Sequence, residues 1–149
     1  MSNLSSAIIL TFVVSHTSIS ENRIKELTPT IIAAATQNDL EPELIAAIIQ
    51  VESSWYPKAE SEAGACGLMQ VIPKWHPKPD GSLYTCEELK DPKVGISAGS
   101  RALRYWLNRA KGDVELALCA YNAGNTCFKR IRMNYVDRVM NVYYNIKRK

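Results

Sequence analysis

Apolar residues recur along this chain at three- and four-residue intervals and almost nowhere alternate, so the pattern predicts helices throughout. Ser20 is placed to cap a helix running to about Gln37, with Ile24, Leu27, Ile31 and Ala34 or Ala35 on one stripe. Glu41-Pro42 puts proline at the first helical position, ahead of the run LIAAIIQVESSW. Gly64 to Ile72 is a short apolar segment stopped by Pro73, and a loop rich in proline and glycine follows from Lys74 to about Cys86. Asp91-Pro92 opens a long helix to about Lys111 whose apolar side carries Val94, Ala98, Leu103, Trp106 or Leu107, and Ala110. Gly112 ends it, Asp113 caps the next, and Gly124 stops that one. A last amphipathic helix spans about Tyr135 to Lys147, with Val136, Val139, Met140, Tyr143 and Ile146 on one side. The expectation is an all-α domain of five to seven helices with a small non-helical insert near Trp75 to Cys86.

Length adds that 149 residues make one domain, large enough to fold without a metal or a disulfide scaffold. No fixed-period repeat or low-complexity tract is present. The net charge of +3 hides an asymmetry: residues 1–75 hold 4 basic and 8 acidic side chains, residues 76–149 hold 14 and 7. The basic excess gathers in Lys129, Arg130, Arg132, Arg138, Lys147, Arg148 and Lys149. It lacks interleaved aromatics or a nucleic-acid motif, so a solvated helix face is expected and nucleic acid is not an expected partner. Cys66, Cys86, Cys119 and Cys127 lack the close spacing of a zinc site, which leaves disulfides and buried thiols both open and implies no metal. At the N-terminus, Ala7 to Val14 has the length of a secretory apolar core but no basic residue ahead of it, and it is too short to span a bilayer. Residues 1–20 are therefore read as a packed or signal-like segment, and residues 21–149 as the domain.

One residue breaks the apolar pattern. Glu52 follows Ile45, Ile48 and Ile49 at helical spacing, which places a carboxylate on the stripe that faces the core. A buried carboxylate holds its proton toward neutral pH, the state a general acid needs. By itself, a glutamate in the last turn of a helix is more often a solvated surface residue.

Three ordered blocks change that balance: E-S-x-W-x-P-x-A-x-S from Glu52 to Ser61, G-A-x-G-L-M-Q from Gly64 to Gln70, and A-Y-N-A-G from Ala120 to Gly124. Together they resemble the soluble-lytic-transglycosylase-type domain of the goose-lysozyme-like superfamily over about residues 25 to 147, continuing more weakly into Tyr135-Val136. The resemblance implies a lysozyme-like fold with a substrate cleft and no cofactor. It also implies cleavage of the β-1,4 bond between N-acetylmuramic acid and N-acetylglucosamine in peptidoglycan. Glu52 would be the single acid/base, and attack by the muramic C6 hydroxyl would leave a 1,6-anhydro product without consuming water. Ser61, Gln70, Tyr121 and Asn122 match substrate-binding positions, with Tyr121 expected beside the acid and able to bond to it or to substrate. A goose-type hydrolase of the same bond, and a non-catalytic wall-binding component, are the rival readings.

The remaining residues are weighed more lightly. Glu60 and Glu62 read as exposed loop carboxylates rather than a second catalytic acid. Met69 reads as packing beneath the cleft, and Gly64 and Gly67 as turn formers. Trp55, Trp75, Tyr84 and Trp106 could offer sugar-stacking faces; Trp106 fits the core better, while Trp75 and His76 suit the rim of a groove. The family's settings for so small a chain are a secretion, conjugation or pilus apparatus or a phage virion, in the periplasm or cell wall.

Overall fold

The central helix α3 (Pro42–Ser53) is apolar on nearly every side, with Leu44 through Ile49 all buried. A helix with no polar face must be surrounded, and the rest of the chain supplies the cover. The computed structural model describes residues 2–17 and 19–148, with α1 (Ser2–His16), α2 (Glu21–Asn38), α4 (Cys86–Leu89), α5 (Pro92–Arg109), α6 (Val114–Ala123) and α7 (Met133–Lys147) beside α3, of which α1, α2 and α7 pack directly on it. A 3-10 turn, Gly124–Phe128, follows α6 directly. Helix α7 packs most extensively on α3, α2 bridges α3 and α5, and α6 lies between α5 and α7. Among the described residues the only extended pairing is two isolated bridges, Glu60 with Cys66 and Cys66 with Val71.

The helix boundaries follow local chemistry. Ser20 accepts from the Arg23 amide, Asp91 from those of Lys93 and Val94, and Asp113 from that of Leu116, each satisfying an orphan amide of the first turn. Pro42 and Pro92 occupy first-turn positions, where their missing N–H costs nothing. Helix α2 continues through Pro29 because Ile24, Leu27 and Ile31 on its buried stripe hold both halves against the core. The insert is not wholly irregular. The Thr85 hydroxyl accepts from the Glu88 amide while Glu88 reaches back to the Thr85 amide, and this capping box starts the single turn of α4.

The N-terminal apolar run forms α1, which packs on α2, α3 and α7 through buried Ile9, Phe12 and Val13. The side chain of Val14 lies outside the described residues, as do Met1, Ser18 and Lys149, the last member of the basic cluster. No helix among the described residues is long and apolar enough to cross a membrane. All four cysteines are paired, Cys66 with Cys86 and Cys119 with Cys127. Trp106 is buried, in keeping with its place on the α5 stripe. Trp55 departs from expectation: it is 1% exposed and its indole donates to Gln50 Oε1 at 2.8 Å, so it offers no face to a ligand. Ser54 and Trp55 both adopt left-handed backbone (φ 49° and 68°), turning the chain inward straight after α3. Burial of the indole and its hydrogen bond hold that otherwise costly turn.

Candidate active site

Because α3 ends at this turn, Glu52 sits in its last turn with its carboxylate facing α7. There Tyr135, itself buried, donates its hydroxyl to Glu52 Oε2 at 3.0 Å. Burial is the dominant influence and pushes the Glu52 carboxyl from its ordinary 4.5 up to about 7; the Tyr135 bond and the Arg138 charge, which favour the carboxylate, oppose it only in part. The Tyr135 phenol is in turn raised well above its usual range, by burial first and then by the neighbouring Glu52 charge. It therefore stays a proton donor across the physiological range.

A cavity of about 230 Å³ opens on this carboxyl, and Glu52, Ser61, Gln70, Tyr121 and Asn122 all line it, together with Trp75 and His76. Glu52 is the only carboxylate among the described lining residues. Glu60 and Glu62 are exposed, and Glu60 instead pairs with Lys90 at 3.1 Å. The loop carrying Ser61 closes on itself: the Ser61 amide donates to the Ala65 carbonyl at 2.9 Å and Ser61 Oγ accepts from the Ala65 amide at 3.1 Å. The hydroxyl proton of Ser61 is left to donate outward. Gln70 commits its amide nitrogen to the Ala59 and Gly67 carbonyls at 3.1 and 3.0 Å, which braces the turn that carries it.

This turn also depends on close approach. Gly67 has φ +84°, and a Cβ there would stand 2.1 Å from the Leu89 carbonyl oxygen, so α4 can lie against the turn only because the side chain is absent. The disulfide from Cys66 to Cys86 ties the same two segments covalently. Met69 is fully buried, as expected of a residue beneath the cleft, and its side chain packs against Gly99 of α5.

Tyr121 lines the cavity, but its hydroxyl does not reach the acid. It donates to the Met69 carbonyl at 2.5 Å, tying α6 to the Gly67–Gln70 turn, while the ring stays close enough to Glu52 to feel its charge. The bond to Glu52 belongs to Tyr135, which stands only in the weaker tail of the family resemblance. Its available signal was a tyrosine on the buried face of α7, one turn ahead of Val139. Tyr84 also stands apart from the cavity, its hydroxyl accepting from Arg101 at 3.0 Å and its ring lying beneath Lys78. Among the described residues one acid and thiol group is close enough to suggest a metal, Glu60 with Cys66 and Cys86. Both sulfurs are spent in a disulfide and the acid is ion-paired, so that group is not a metal centre.

Comparison with known proteins bears on the family and the fold. The model of the Transglycosylase SLT domain family matches residues 29–140. The transglycosylase of Enterobacteria phage PRD1 is 40% identical over 95 residues, covering 64% of this chain and 34% of that protein. Membrane-bound lytic murein transglycosylase F of Cellvibrio japonicus (strain Ueda107) is 34% identical over 110 residues, covering 70% of this chain and 21% of that protein. Among solved structures, an inactive glutamate-to-glutamine mutant of lytic transglycosylase Slt from Pseudomonas aeruginosa superposes with a TM-score of 0.69 at 26% identity, covering 80% of this chain and 24% of that one. The chain thus spans about a third or less of the length of these relatives, in the part that carries the all-α, lysozyme-like fold. With its three motif blocks gathered around one half-buried carboxyl, this chain belongs to the Transglycosylase SLT domain family.

Proposed function

We propose that the chain cleaves the β-1,4 bond between N-acetylmuramic acid and N-acetylglucosamine in peptidoglycan without water, leaving 1,6-anhydromuramic ends. The observation that carries this reading is a single carboxyl in the cavity, poised near pH 7 and held by Tyr135. A hydrolytic scheme of the usual kind needs two carboxyl groups, one to protonate the leaving oxygen and one to act as nucleophile or activate water. One group that both gives and regains a proton suffices if the nucleophile is part of the substrate. Protonated Glu52 gives its proton to the glycosidic oxygen as the bond to C1 breaks. The resulting carboxylate, kept in place by the Tyr135 hydroxyl, takes the proton of the muramic C6 hydroxyl as that oxygen bonds to C1. Atoms balance with no water, and Glu52 ends in the state in which it began. A pKa near the working pH suits a residue that must serve in both directions.

The other lining residues orient the sugar. The Ser61 hydroxyl donates to an acetamido carbonyl, Gln70 offers its amide oxygen and Asn122 its amide along the cavity, and Tyr121 holds the turn beneath them. That the Pseudomonas aeruginosa relative is inactive as a glutamate-to-glutamine mutant supports a glutamate in the central role. Residues 21–149 form the catalytic domain in this reading, with α1 as a packed N-terminal element. Two disulfides and relatives that include a phage protein and a membrane-bound murein enzyme support work at the cell wall, after export or as part of a virion. The partners beyond peptidoglycan are accordingly a secretion or pilus apparatus or other virion proteins. The test is Glu52→Gln: clearing of purified sacculi falls by about 10²–10⁴-fold, the usual contribution of a general acid, while cosedimentation with sacculi persists. Unchanged clearing removes Glu52 from the mechanism.

A further inference from the structure

The basic cluster expected on a solvated helix face divides in the structure. Arg138 and Lys147 lie on α7, but Lys129, Arg130 and Arg132 occupy the short link between the 3-10 turn and that helix. Residues 116–136 hold no acidic side chain, so the charge of these three has no counterweight nearby in sequence. Nor does any of the three enter an ion pair among the described residues. The link is apolar as well as basic. Phe128 is 38% exposed and Ile131 41%, so the run Phe-Lys-Arg-Ile-Arg interleaves hydrocarbon with cations, all five side chains facing solvent.

The backbone that presents these side chains is fastened. The Cys119–Cys127 disulfide ties the residue before Phe128 to α6, and the amides of Lys129 and Arg130 both donate to the Thr126 carbonyl at 3.1 Å. The Arg132 amide donates to Cys119 Sγ at 3.4 Å, and its guanidinium to Thr126 Oγ1 at 3.0 Å. The Arg109 guanidinium stands 5.4 Å from the Phe128 ring. A partner therefore meets an ordered surface and spends little on ordering it. Thr126, Lys129, Arg130, Ile131 and Arg132 enclose a cavity of about 530 Å³. Arg132 is also the residue before α7, whose first turn no side chain caps, so the positive end of that helix adds to the field of the three cations.

We propose that this loop docks on an anionic phospholipid surface, with phosphodiester head groups at Lys129, Arg130 and Arg132 and with Ile131 and Phe128 reaching the acyl boundary. Charge and hydrocarbon together select that occupant. A soluble polyanion, or the carboxylates of a wall peptide, satisfies the cations but leaves both apolar side chains in water. A bilayer takes both, as it does for basic amphipathic segments that lie on its surface. The contact is superficial, in keeping with the described helices, none of which is long and apolar enough to cross a membrane. Docking through this loop holds the Glu52 cavity, which the end of α6 lines, beside the lipid surface.

The test is flotation of the full chain with vesicles of phosphatidylcholine alone and of phosphatidylcholine mixed with phosphatidylglycerol. The chain floats with the anionic vesicles only, and its binding fades as ionic strength rises. Each cation at such a surface is worth about fivefold in partition, so Lys129→Ala combined with Arg130→Ala lowers binding by about 25-fold. Ile131→Asn, which keeps every charge, lowers it by about fivefold. Lys93→Ala, at the opposite end of α5 from the Arg109–Phe128 contact, binds as the parent does. Equal binding of the parent to the two kinds of vesicle, or binding to neither, overturns the proposal without recourse to any variant. So does an unaltered partition in the double variant or in Ile131→Asn. A double variant that loses binding to purified sacculi while still floating with anionic vesicles overturns it too, because the loop then serves the carboxylates of the wall.

Discussion

Glu52 and Trp75 line one cavity, yet the regions that carry them are built in opposite ways. Glu52 stands at the end of a helix covered by α7, α2 and α1, and its chemistry comes from its partial withdrawal from water. Trp75 stands on an exposed loop with little core of its own, held by cross-links: the Cys66–Cys86 disulfide, the Arg101 bonds to Tyr84 and Pro77, and the Lys78–Glu88 ion pair at 2.7 Å. Packing sets a protonation state on one side, and tethering sets a shape on the other. Each side is therefore vulnerable to a different kind of change.

The largest separation of the two comes from cutting the tether. Paired Cys66→Ala and Cys86→Ala substitutions open a loop of 20 residues' separation and lower stability to denaturant by roughly 3 kcal/mol on the loop-entropy scale. Affinity for long glycans weakens with the loosened Trp75 wall. The alkaline limb of the pH–rate profile for sacculus clearing stays in place, because the surroundings of Glu52 are untouched. A limb that moved with the disulfide would show that the two regions are coupled.

A smaller and opposite change acts on the buried side. In the proposed mechanism activity requires protonated Glu52, so clearing is expected to fall as pH rises through about 7, the value to which burial lifts this carboxyl. The Tyr135 bond favours the carboxylate and lowers that value; Tyr135→Phe removes it, so the proton is held more tightly and the limb moves to higher pH. The maximal rate drops by about tenfold, corresponding to one hydrogen bond to a charged group at roughly 1.5 kcal/mol. Stopped-flow or turbidity measurements across pH give both quantities, and a limb displaced to lower pH contradicts the assignment of Tyr135.

The buried half was the more legible in sequence. Helical periodicity placed Glu52 on the same stripe as Ile45, Ile48 and Ile49, and capping chemistry marked the starts of α2, α5 and α6, because these signals are local. What lies outside them depends on contacts across the fold. Tyr135 is 83 residues from Glu52, and nothing in the spacing of either announces the pair. Trp55 was misplaced because it follows the last helical residue, where periodicity no longer assigns a side, and a left-handed turn carries it inward. The Thr85–Glu88 capping box was present in sequence, yet one turn of helix is too short to show an apolar period. Both disulfides join positions whose proximity is created by the fold, so the cysteine count alone left them undetermined.

The central claim, that one half-buried carboxyl serves as both acid and base and needs no water, is tested most directly by the product. Purified sacculi digested with the chain and analysed by mass spectrometry should release muropeptides ending in 1,6-anhydromuramic acid. Products heavier by one water, with reducing ends, would contradict it.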